Sequence, residues 1–476
     1  MILWRLRSAA GVGPRQYQVR DVRVSELGPA KERLGRALQA HLAAPSRRTG
    51  IVRVAVPAPQ IDLPRWLAAN AGTPRLYWSE RGGDFELAGV GVADALGVDG
   101  AAGVTDPLAA IAIRLPHDAG ELRYFGGQSF DGRAGQDRAW APFGSARFLL
   151  PRFAITRDGG EWQLACAFVD DPGQGARQTL RALEGELGHL RTGQRAVAAL
   201  PPVVRRADSP DRDAWIAAVE RALGRIERGP LQKVVLARRT DFLFAEAPDP
   251  FLLLHRLRAA NPEGFHFAFS PEGGATFLGV SPERLYRREG RRILSEAVAG
   301  TRRRGDSAHE DQAIGDALLD SEKDRREHRF VADTVGRKLG ELCRSYHADP
   351  EVSLLKLARL QHLYRRFEGT LRGHVDDVEI VAALHPTPAV AGNPTAAAVA
   401  EIASREPFHR GWYAGPLGWV GPDGADFTVA IRSGLLDGAR LALYTGAGIV
   451  RGSRPIAEWE ELENKLAGFV RVIGAP

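Results

Sequence analysis

The segment 231–240, "LQKVVLARRT", is the first of a series of strand-like segments that determines the predicted fold class. A strand alternates its side chains between two faces, so Lys233 shares one face with Val235 and Ala237. Further strand-like segments follow with few helical segments between them: "GFHFAFS" (264–270), "ATFLGVSPERLYRRE" (275–289) and "RRILSEAVAG" (291–300). Because strands that follow one another directly tend to pair antiparallel, we predict an α+β fold of packed antiparallel β-sheets surrounded by helices.

The rest of the second half continues with helical segments and further strands. Helical patterns cover 307–345 and 377–404. Strand-like segments then come before a terminal helix: "YAGPLGWVG" (413–421), "DFTVAIRSGLL" (426–436) and "RLALYTGAGIV" (440–450). These elements add strands and outer helices to the same predicted architecture.

The first part of the chain has a different pattern. It carries scattered strand-like runs such as "GIVRVAVPAP" (50–59) and "EWQLACAFVD" (161–170), and one clear helical stretch, "RQTLRALEGELGHL" (177–190). No reactive groups gather in this part of the sequence. We expect residues 1–205 to form a variable N-terminal part that is integrated into the same α+β fold, and residues 206–476 to carry the site.

The composition is that of a soluble globular protein, with 476 residues, 44% hydrophobic, 26% charged and a formal net charge of +6. The arginine clusters are short and interleaved with acids, so we expect no nucleic-acid partner. No run approaches the roughly 20 apolar residues that span a bilayer, which predicts no membrane insertion. Arg5 interrupts the apolar N-terminal stretch, and Cys166 and Cys343 are the only cysteines. We therefore expect no export and a reducing, cytoplasmic location.

Lys233 is a charged residue in the middle of an apolar strand. One interpretation is that only its aliphatic stem is buried while the amine reaches water. The other is that burial among Val235 and Ala237 disfavours the ammonium form, so that the amine can accept a proton. The strand pattern alone leaves both interpretations open.

A helix in the segment "SEKDRREH" (321–328) places carboxylates near its buried face. Ser321 is the predicted N-cap, and the apolar stripe that follows extends backwards to Glu327, with Asp324 one turn earlier. A carboxylate on an inward stripe needs a cation or a metal beside it. The alternative is a partly exposed glutamate paired to Arg325 or Arg329.

The last helix, "EWEELENKL" (458–466), repeats this pattern. Glu458, Glu461 and Lys465 run alongside its apolar stripe, and Glu461 and Lys465 have the favourable i, i+4 spacing of an ordinary surface ion pair. Acids on two helices are an oxygen-ligand set that suits Mg²⁺ better than zinc, for which the chain lacks a His or Cys cluster.

Glycine-containing segments add a third feature. "AVAGTRRRG" (297–305) and "YTGAGIV" (444–450) are expected to form turns that can point backbone N–H groups at an anion. A plain tight turn is the alternative for each of them.

The order of these motifs resembles the chorismate-utilising enzymes, and within that superfamily the isochorismate synthases. The resemblance covers roughly residues 210–472 and rests on these blocks, in order: "KVVLAR", "GVSPERL", "AVAGTRRRG", "SEKDRREH", "QHLYRRFEG", "LHPTPAVAG", "YAGPLGWV", "FTVAIRSG", "YTGAGIV" and "EWEELENKL". It implies an α+β fold like that of anthranilate synthase component I, with the active site between packed sheets. It also implies chorismate as the substrate.

The resemblance assigns a role to each matching residue. Lys233 matches the general base that activates water, and Glu283 matches the acid that protonates the departing hydroxyl group. Glu327 and Glu461 match ligands of Mg²⁺, with Asp324 and Glu458 supporting the metal through water. The positions that match the substrate-binding set are Gly300, Thr301, His362, Ala389, Tyr413, Arg432, Gly446 and Lys465.

Other members of the superfamily are the alternatives. Anthranilate and aminodeoxychorismate synthases commonly carry a "PI" dipeptide and usually lack the base lysine, so Lys233 and the Ala297-Val298 pair argue against them and against a glutaminase partner. Salicylate synthases share the lysine, whereas "LHPTPAVAG" looks more like isochorismate synthases. A non-catalytic binding subunit would have lost an acid, a base or a ligand, and none is lost. We therefore predict a monomeric, Mg²⁺-dependent isochorismate synthase whose product feeds menaquinone, siderophore or salicylate biosynthesis.

Overall fold

Long antiparallel strands form the framework of the molecule. The computed structural model describes residues 27–475 except 45–48, 99–105, 116–119, 134–136, 172 and 174. The N-terminal stretch used above to argue against export lies outside the described residues. None of the helices in the described part combines the length and the apolar character that crossing a membrane requires.

The described strands, in chain order, are β1 Gly50–Pro57, β2 Arg75–Ser79, β3 Phe85–Gly97, β4 Tyr124–Gln128, β5 Ala146–Asp158, β6 Glu161–Asp170, β7 Val203–Ser209, β8 Lys233–Phe244, β9 Phe265–Ser270, β10 Thr276–Ser281, β11 Arg284–Glu289, β12 Arg292–Arg303, β13 Cys343–Ala348, β14 Ser353–Lys356, β15 Leu360–Leu371, β16 Gly392–Asn393, β17 Pro416–Val420, β18 Gly424–Val429, β19 Ser433–Asp437 and β20 Arg440–Val450.

The described helices are α1 Gly28–Ala43, α2 Leu63–Ala69, α3 Pro107–Arg114, α4 Ala176–His189, α5 Arg212–Arg228, α6 Pro250–Ala260, α7 Ala308–Asp320, α8 Glu322–Leu342, α9 Asp377–Leu384, α10 Thr395–Arg405 and α11 Pro455–Ile473, with a 3₁₀ helix at Arg138–Phe143.

Two series of strand pairings meet at the long strand β5. One series runs β7, β8, β20, β19, β10, β9, β2, β3, β5. The other runs β5, β4, β17, β18, β11, β12, β15, with β13 and β14 beyond β15. All of these pairings are antiparallel, so the predicted α+β class is confirmed.

Strands from the first 205 residues occupy positions inside both series. β2 lies between β3 and β9, and β4 lies between β5 and β17. The aromatic core also crosses this boundary, since Trp140 packs on Phe277 with ring centroids 5.2 Å apart and Phe143 packs on Trp412 at 5.4 Å. The two parts of the sequence therefore share one set of sheets, and both of them contribute to each of the two clusters of buried apolar side chains.

Two predicted helical segments are shorter than expected. The segment 307–345 divides at Ser321, whose side chain accepts a hydrogen bond from the Asp324 amide as predicted for an N-cap, and it ends where β13 pairs with β15. The segment 377–404 is interrupted at 385–394, a stretch that contains three prolines. Proline removes a backbone donor and clashes with the preceding turn, so the helix cannot continue. The resulting loop carries part of the site.

The junction between β4 and β17 pairs glycine with glycine, Gly126 with Gly418. A Cβ atom added at Gly126 would lie 1.9 Å from the backbone oxygen of Arg147 on β5, and one added at Gly418 would lie 2.0 Å from the backbone oxygen of Asp426 on β18. These are backbone atoms in paired strands, which cannot move away as a flexible side chain can. Glycine at both positions allows the strands to approach one another.

Replacing Gly126 with alanine should therefore destabilise the protein by at least the 1–3 kcal/mol, roughly, that is typical of overpacking. Thermal unfolding followed by calorimetry measures the effect. The matched control is Gly185→Ala in α4, where an added Cβ meets nothing within 4 Å. That change should leave stability unaltered or raise it by about 0.5–1 kcal/mol, because alanine is the better helix former. Equal melting temperatures for both variants would contradict this account of the junction.

Candidate active site

A cavity of about 80 Å³ lies between β8, β20 and β12 on one side and the helices α8 and α11 on the other. Most of the predicted site residues line it, although they come from widely separated parts of the sequence. The predicted residues in its wall are Gly300, Thr301, Glu283, Glu327, His362, Ala389, Tyr413, Arg432, Gly446, Glu461 and Lys465. Lys233, Asp324 and Glu458 are predicted site residues that lie outside the wall.

Glu283 follows β10 and is almost completely buried. Its backbone is fixed on both sides: its N–H donates to Ser281 Oγ at 3.2 Å, and its carbonyl accepts from the Val429 amide at 3.0 Å and from Thr428 Oγ1 at 2.5 Å. Burial raises the pKa of the Glu283 carboxyl to about 8, with the charge of Glu296 adding to the rise and that of Lys233 opposing it. Below that pH the carboxyl group holds a proton that it can donate.

Lys233 has no exposed surface, and its Nζ lies 3.0 Å from Glu327 Oε1. The first alternative, in which the amine reaches water, is therefore wrong. The amine is buried, and the fold brings to this strand a carboxylate from α8 that the strand pattern did not predict. Glu327 in turn lines the cavity, so Lys233 contacts the cavity wall through this partner.

Glycines on β20 leave room for these side chains. Gly448 pairs with Val235 in the ladder between β8 and β20, and a Cβ atom there would lie 2.3 Å from Glu327 Oε1 and 3.1 Å from Lys233 Cε. At Gly446, a Cβ atom would lie 2.9 Å from the Tyr413 hydroxyl. The absence of side chains at these positions is what allows the cavity to exist.

The two glycine-containing segments were expected to form turns, and both lie within strands instead. Gly300 is in β12 at a register shift against β15, with φ of 73°, and Gly446 is in β20. A β-bulge is the structural use of glycine here, since it redirects the strand at the point where it meets His362. The carbonyl of Gly300 accepts a hydrogen bond from His362 Nδ1 at 3.1 Å.

His362 and Arg432 form the polar end of the cavity. The Arg432 guanidinium donates to His362 Nε2 at 3.0 Å, so the histidine is the Nδ1–H tautomer and is neutral. Burial, and then the neighbouring Arg432, hold the pKa of His362 well below its usual range. Arg432 has a φ of 49°, a conformation that is rare for residues other than glycine and concentrates at functional sites. Lys465 adds a second cation, with Nζ 2.7 Å from Glu461 Oε1.

The four acids predicted around a metal are divided among different partners. Asp324 is paired with Arg302 at 2.5 Å, and Glu458 with Lys323 at 2.7 Å. Among the described residues, no group of three or more His, Cys, Asp or Glu side chains is placed to hold a metal ion. The sequence pattern could not predict these pairings, because each basic partner was as free to face solvent as to face an acid.

Three carboxylates nevertheless influence one cation electrostatically. Burial lowers the pKa of Lys323, but Glu458, Glu461 and Glu327 together raise it above its usual value. Glu327 and Glu461 both line the cavity, and they come from the two different helices. This is an oxygen-donor set that requires positive charge and matches the ligand preference of a hard divalent cation.

Arg410 is a structural residue of the site that the sequence analysis missed. It is buried, it is paired with Glu406 at 2.5 Å, and it donates to the carbonyls of Val235 at 2.8 Å and Val390 at 2.9 Å. It thereby joins β8 to the loop that carries Ala389. The i, i+4 spacing of Glu406 and Arg410 was the only signal in the sequence, and that spacing is equally common on exposed surfaces.

Comparison with known proteins gives the following matches. The family model described as "chorismate binding enzyme" matches residues 36–474. The chloroplastic isochorismate synthase of Catharanthus roseus is 36% identical over 74% of this chain and 62% of its own length, so the chain spans less than two thirds of that relative. Isochorismate synthase MenF of Haemophilus influenzae is 32% identical over 88% of this chain and 91% of the relative.

A solved structure is similar over nearly the whole chain. It is that of MenF, the menaquinone-specific isochorismate synthase of Escherichia coli, with a TM-score of 0.83 and 31% identity, covering 94% of this chain and 99% of the other. The similarity includes the N-terminal part, for which the sequence offered no motif.

The geometry of the polar end predicts that His362 stays neutral throughout the range from pH 5 to 8. Replacing Arg432 with methionine removes the adjacent positive charge, so the pKa of His362 should move upward, although burial still holds it below that of a free histidine. NMR of histidine-labelled protein, titrated from pH 5 to 8, measures the neutral and the protonated state of His362. An imidazole at position 362 that protonates near pH 6.5 in the unmodified protein would contradict the assignment.

Proposed function

The chain belongs to the chorismate binding enzyme family, and from this premise we propose that it is an isochorismate synthase that isomerises chorismate by adding water and releasing hydroxide. Membership confirms the family resemblance of the motifs. The observation that carries the proposal is that a buried, protonatable acid, Glu283, and the cations Arg432 and Lys465 face one cavity, with the amine of Lys233 directly behind its wall.

The reaction exchanges one ring hydroxyl for another. A water oxygen forms a bond to one ring carbon, the double bonds shift, and the hydroxyl on another ring carbon leaves. Hydroxide is a poor leaving group, so a proton must reach it as it departs. Glu283 supplies that proton, because burial keeps its carboxyl group protonated at neutral pH.

Lys233 takes the proton from the attacking water. Its amine is held on a rigid strand inside the fold and has Glu327 as its nearest acidic partner. A base positioned by a strand and by a neighbouring carboxylate loses little orientational freedom when it acts. One water molecule enters and one leaves, so the acid and the base exchange protons with solvent between turnovers.

The two carboxylates of chorismate require positive charge. Arg432 and Lys465 lie in the cavity wall at the end where His362 and Gly300 provide polar groups. A guanidinium can hold a carboxylate through two hydrogen bonds. We assign this end of the cavity to the enolpyruvyl carboxylate and place the ring against Ala389, Val390 and Tyr413.

Mg²⁺ completes the proposed site. Glu327 and Glu461 would be its direct ligands, with Glu458 and Asp324 supporting it through water. When bound, the ion supplies positive charge for the ring carboxylate. The fit rests on Glu327 and Glu461, which line the same cavity from two different helices and offer it carboxylate oxygens.

Further proposals concern the setting of the reaction. All of the residues assigned a role lie within residues 206–476, and the N-terminal part completes the sheets around them. The nucleophile of the reaction is water and not ammonia, so the enzyme needs no glutaminase partner. We place the enzyme in the cytoplasm and its product in menaquinone biosynthesis, supported by the specificity for which the Escherichia coli MenF structure is named.

The first test is the conversion of chorismate. Purified protein with Mg²⁺ should form isochorismate, and EDTA should abolish turnover until Mg²⁺ is restored in excess. Chromatography of early time points identifies the product. Salicylate and pyruvate as the main initial products would replace the proposal with a salicylate synthase, and an aminated product that depends on ammonia would place the protein among the aminating enzymes.

The second test separates the base from the metal site. Lys233→Met keeps the length of the side chain but removes the amine, so turnover should fall by at least about 100-fold, the lower range for general acid–base catalysis. Mg²⁺ binding, measured by calorimetry, should persist because Glu327 and Glu461 remain. Lys338→Met, at a solvent-facing ion pair on α8, is the control and should keep full activity. Wild-type turnover in the Lys233 variant would refute its role as the base.

A further inference from the structure

The turn between β2 and β3 reaches from the N-terminal part to the segment that carries Glu283. Arg81 in this turn donates through NH1 to the carbonyl of Pro282 at 2.8 Å and through NH2 to Glu296 Oε1 at 2.5 Å. Pro282 is the residue immediately before the proposed acid. One guanidinium therefore holds the backbone next to Glu283 and also pairs with a second buried carboxylate.

Glu296 depends on this arginine for its charge balance. Its side chain is 1% exposed, and its other cationic contact, Arg284 NH1, lies at 3.6 Å while Arg284 is engaged with Asp426 at 3.1 Å. Tyr364 donates to Glu296 Oε1 at 3.3 Å, and Oε2 has no hydrogen-bond partner among the described residues. A buried carboxylate with so few donors depends mainly on the nearest cation to offset its charge.

The turn itself is fixed in place by charges of both signs. Glu80, next to Arg81, pairs with Arg287 at 3.0 Å, and the Arg81 guanidinium lies over the rings of Phe265 at 5.5 Å and Tyr364 at 5.8 Å. Arg81 is only 15% exposed. Its position is therefore set by the surrounding structure, as a positioning role requires.

We propose that Arg81 is a positioning residue for Glu283, acting by fixing the Pro282 carbonyl and by balancing the charge of Glu296, so that the N-terminal part controls the acid of the reaction. The inference rests on the proposed function of Glu283. Arg81 does not itself line the cavity, and it reaches the cavity wall only through its hydrogen bond to Pro282. Its effect is on the rate and on the protonation of the acid, and substrate binding is largely independent of it.

The charged and titratable groups around Glu283 define the pH dependence. They are Lys233 on β8, Glu296 on β12, Lys465 on α11 and Tyr413 in the loop before β17, with the Thr387 hydroxyl beside them. Turnover requires protonated Glu283, so kcat/KM falls as the pH rises through the pKa of this group, about 8. The negative charge of Glu296 raises that pKa, and a cation paired with Glu296 limits the rise.

The experiment compares the alkaline limb of the pH profile in three variants. Arg81→Met should lower kcat by about 10- to 100-fold, the cost of a misplaced catalytic group, with little change in KM. Its alkaline limb should move to higher pH, because Glu296 loses its nearest counter-ion. Glu296→Gln should move the limb to lower pH by about one unit, because the repelling charge is gone. Arg81→Lys keeps the charge but cannot make both contacts, so the limb should stay near that of the wild type while kcat is intermediate.

The matched control is Arg157→Met. Arg157 also belongs to the N-terminal part, is similarly buried at 19% exposure, and forms a comparable ion pair with Glu86 at 2.5 Å, away from Glu283. It should retain the wild-type pH profile. The positioning role would be overturned if Arg81→Met and Arg157→Met lost kcat equally and their alkaline limbs did not move. It would also be overturned if Arg81→Met behaved like the wild type. Either result would leave the proposed function standing. A wild-type protein that forms no isochorismate would overturn the proposed function and this inference with it.

Discussion

The ion pair between Lys233 and Glu327 is the interaction on which the site depends. A buried amine needs a polar partner, and α8 provides one in the Glu327 carboxylate 3.0 Å away. Lys233 has no exposed surface, so its amine meets this partner only because α8 docks where Glu327 reaches it. Gly448 keeps the intervening space open. The same docking brings Glu327 to Glu461 of α11 and closes the cavity.

Charge is distributed unevenly along the cavity. Arg432 is cationic beside the neutral His362, whereas Glu327, Glu461 and Glu458 each have a lysine as partner, namely Lys233, Lys465 and Lys323 in that order. The guanidinium of Arg432 suits a carboxylate directly, whereas the acids of α8 and α11 need positive charge beside them. Glu283, which lies in the same cavity wall, is protonated at neutral pH because of its burial. This polarity accords with a ring that carries two carboxylates and loses a hydroxyl group.

The N-terminal part shows how a region without recognisable motifs can take part in a site. Its strands complete both series of pairings, and its tryptophan and phenylalanine side chains pack with those of the second part. None of its residues lines the cavity, but Arg81 contacts the residue before Glu283. The N-terminal part thus supports the cavity walls and the backbone of the segment that carries Glu283.

The sequence by itself determined the antiparallel α+β class, the N-cap at Ser321 and most of the residues in the cavity wall, because strand alternation, helix capping and ordered motifs are properties of short stretches. The break at 385–394 was also present in the sequence, as prolines. Only the tertiary structure decided that Lys233 faces Glu327, that Asp324 is paired with Arg302 and Glu458 with Lys323, and that Arg81 reaches Pro282, the residue before Glu283. Each of these depends on which side chains meet across elements far apart in the chain. A charged side chain has the same local pattern whether its partner is another residue, a metal ion or water, so the choice is made by the packing of the whole fold.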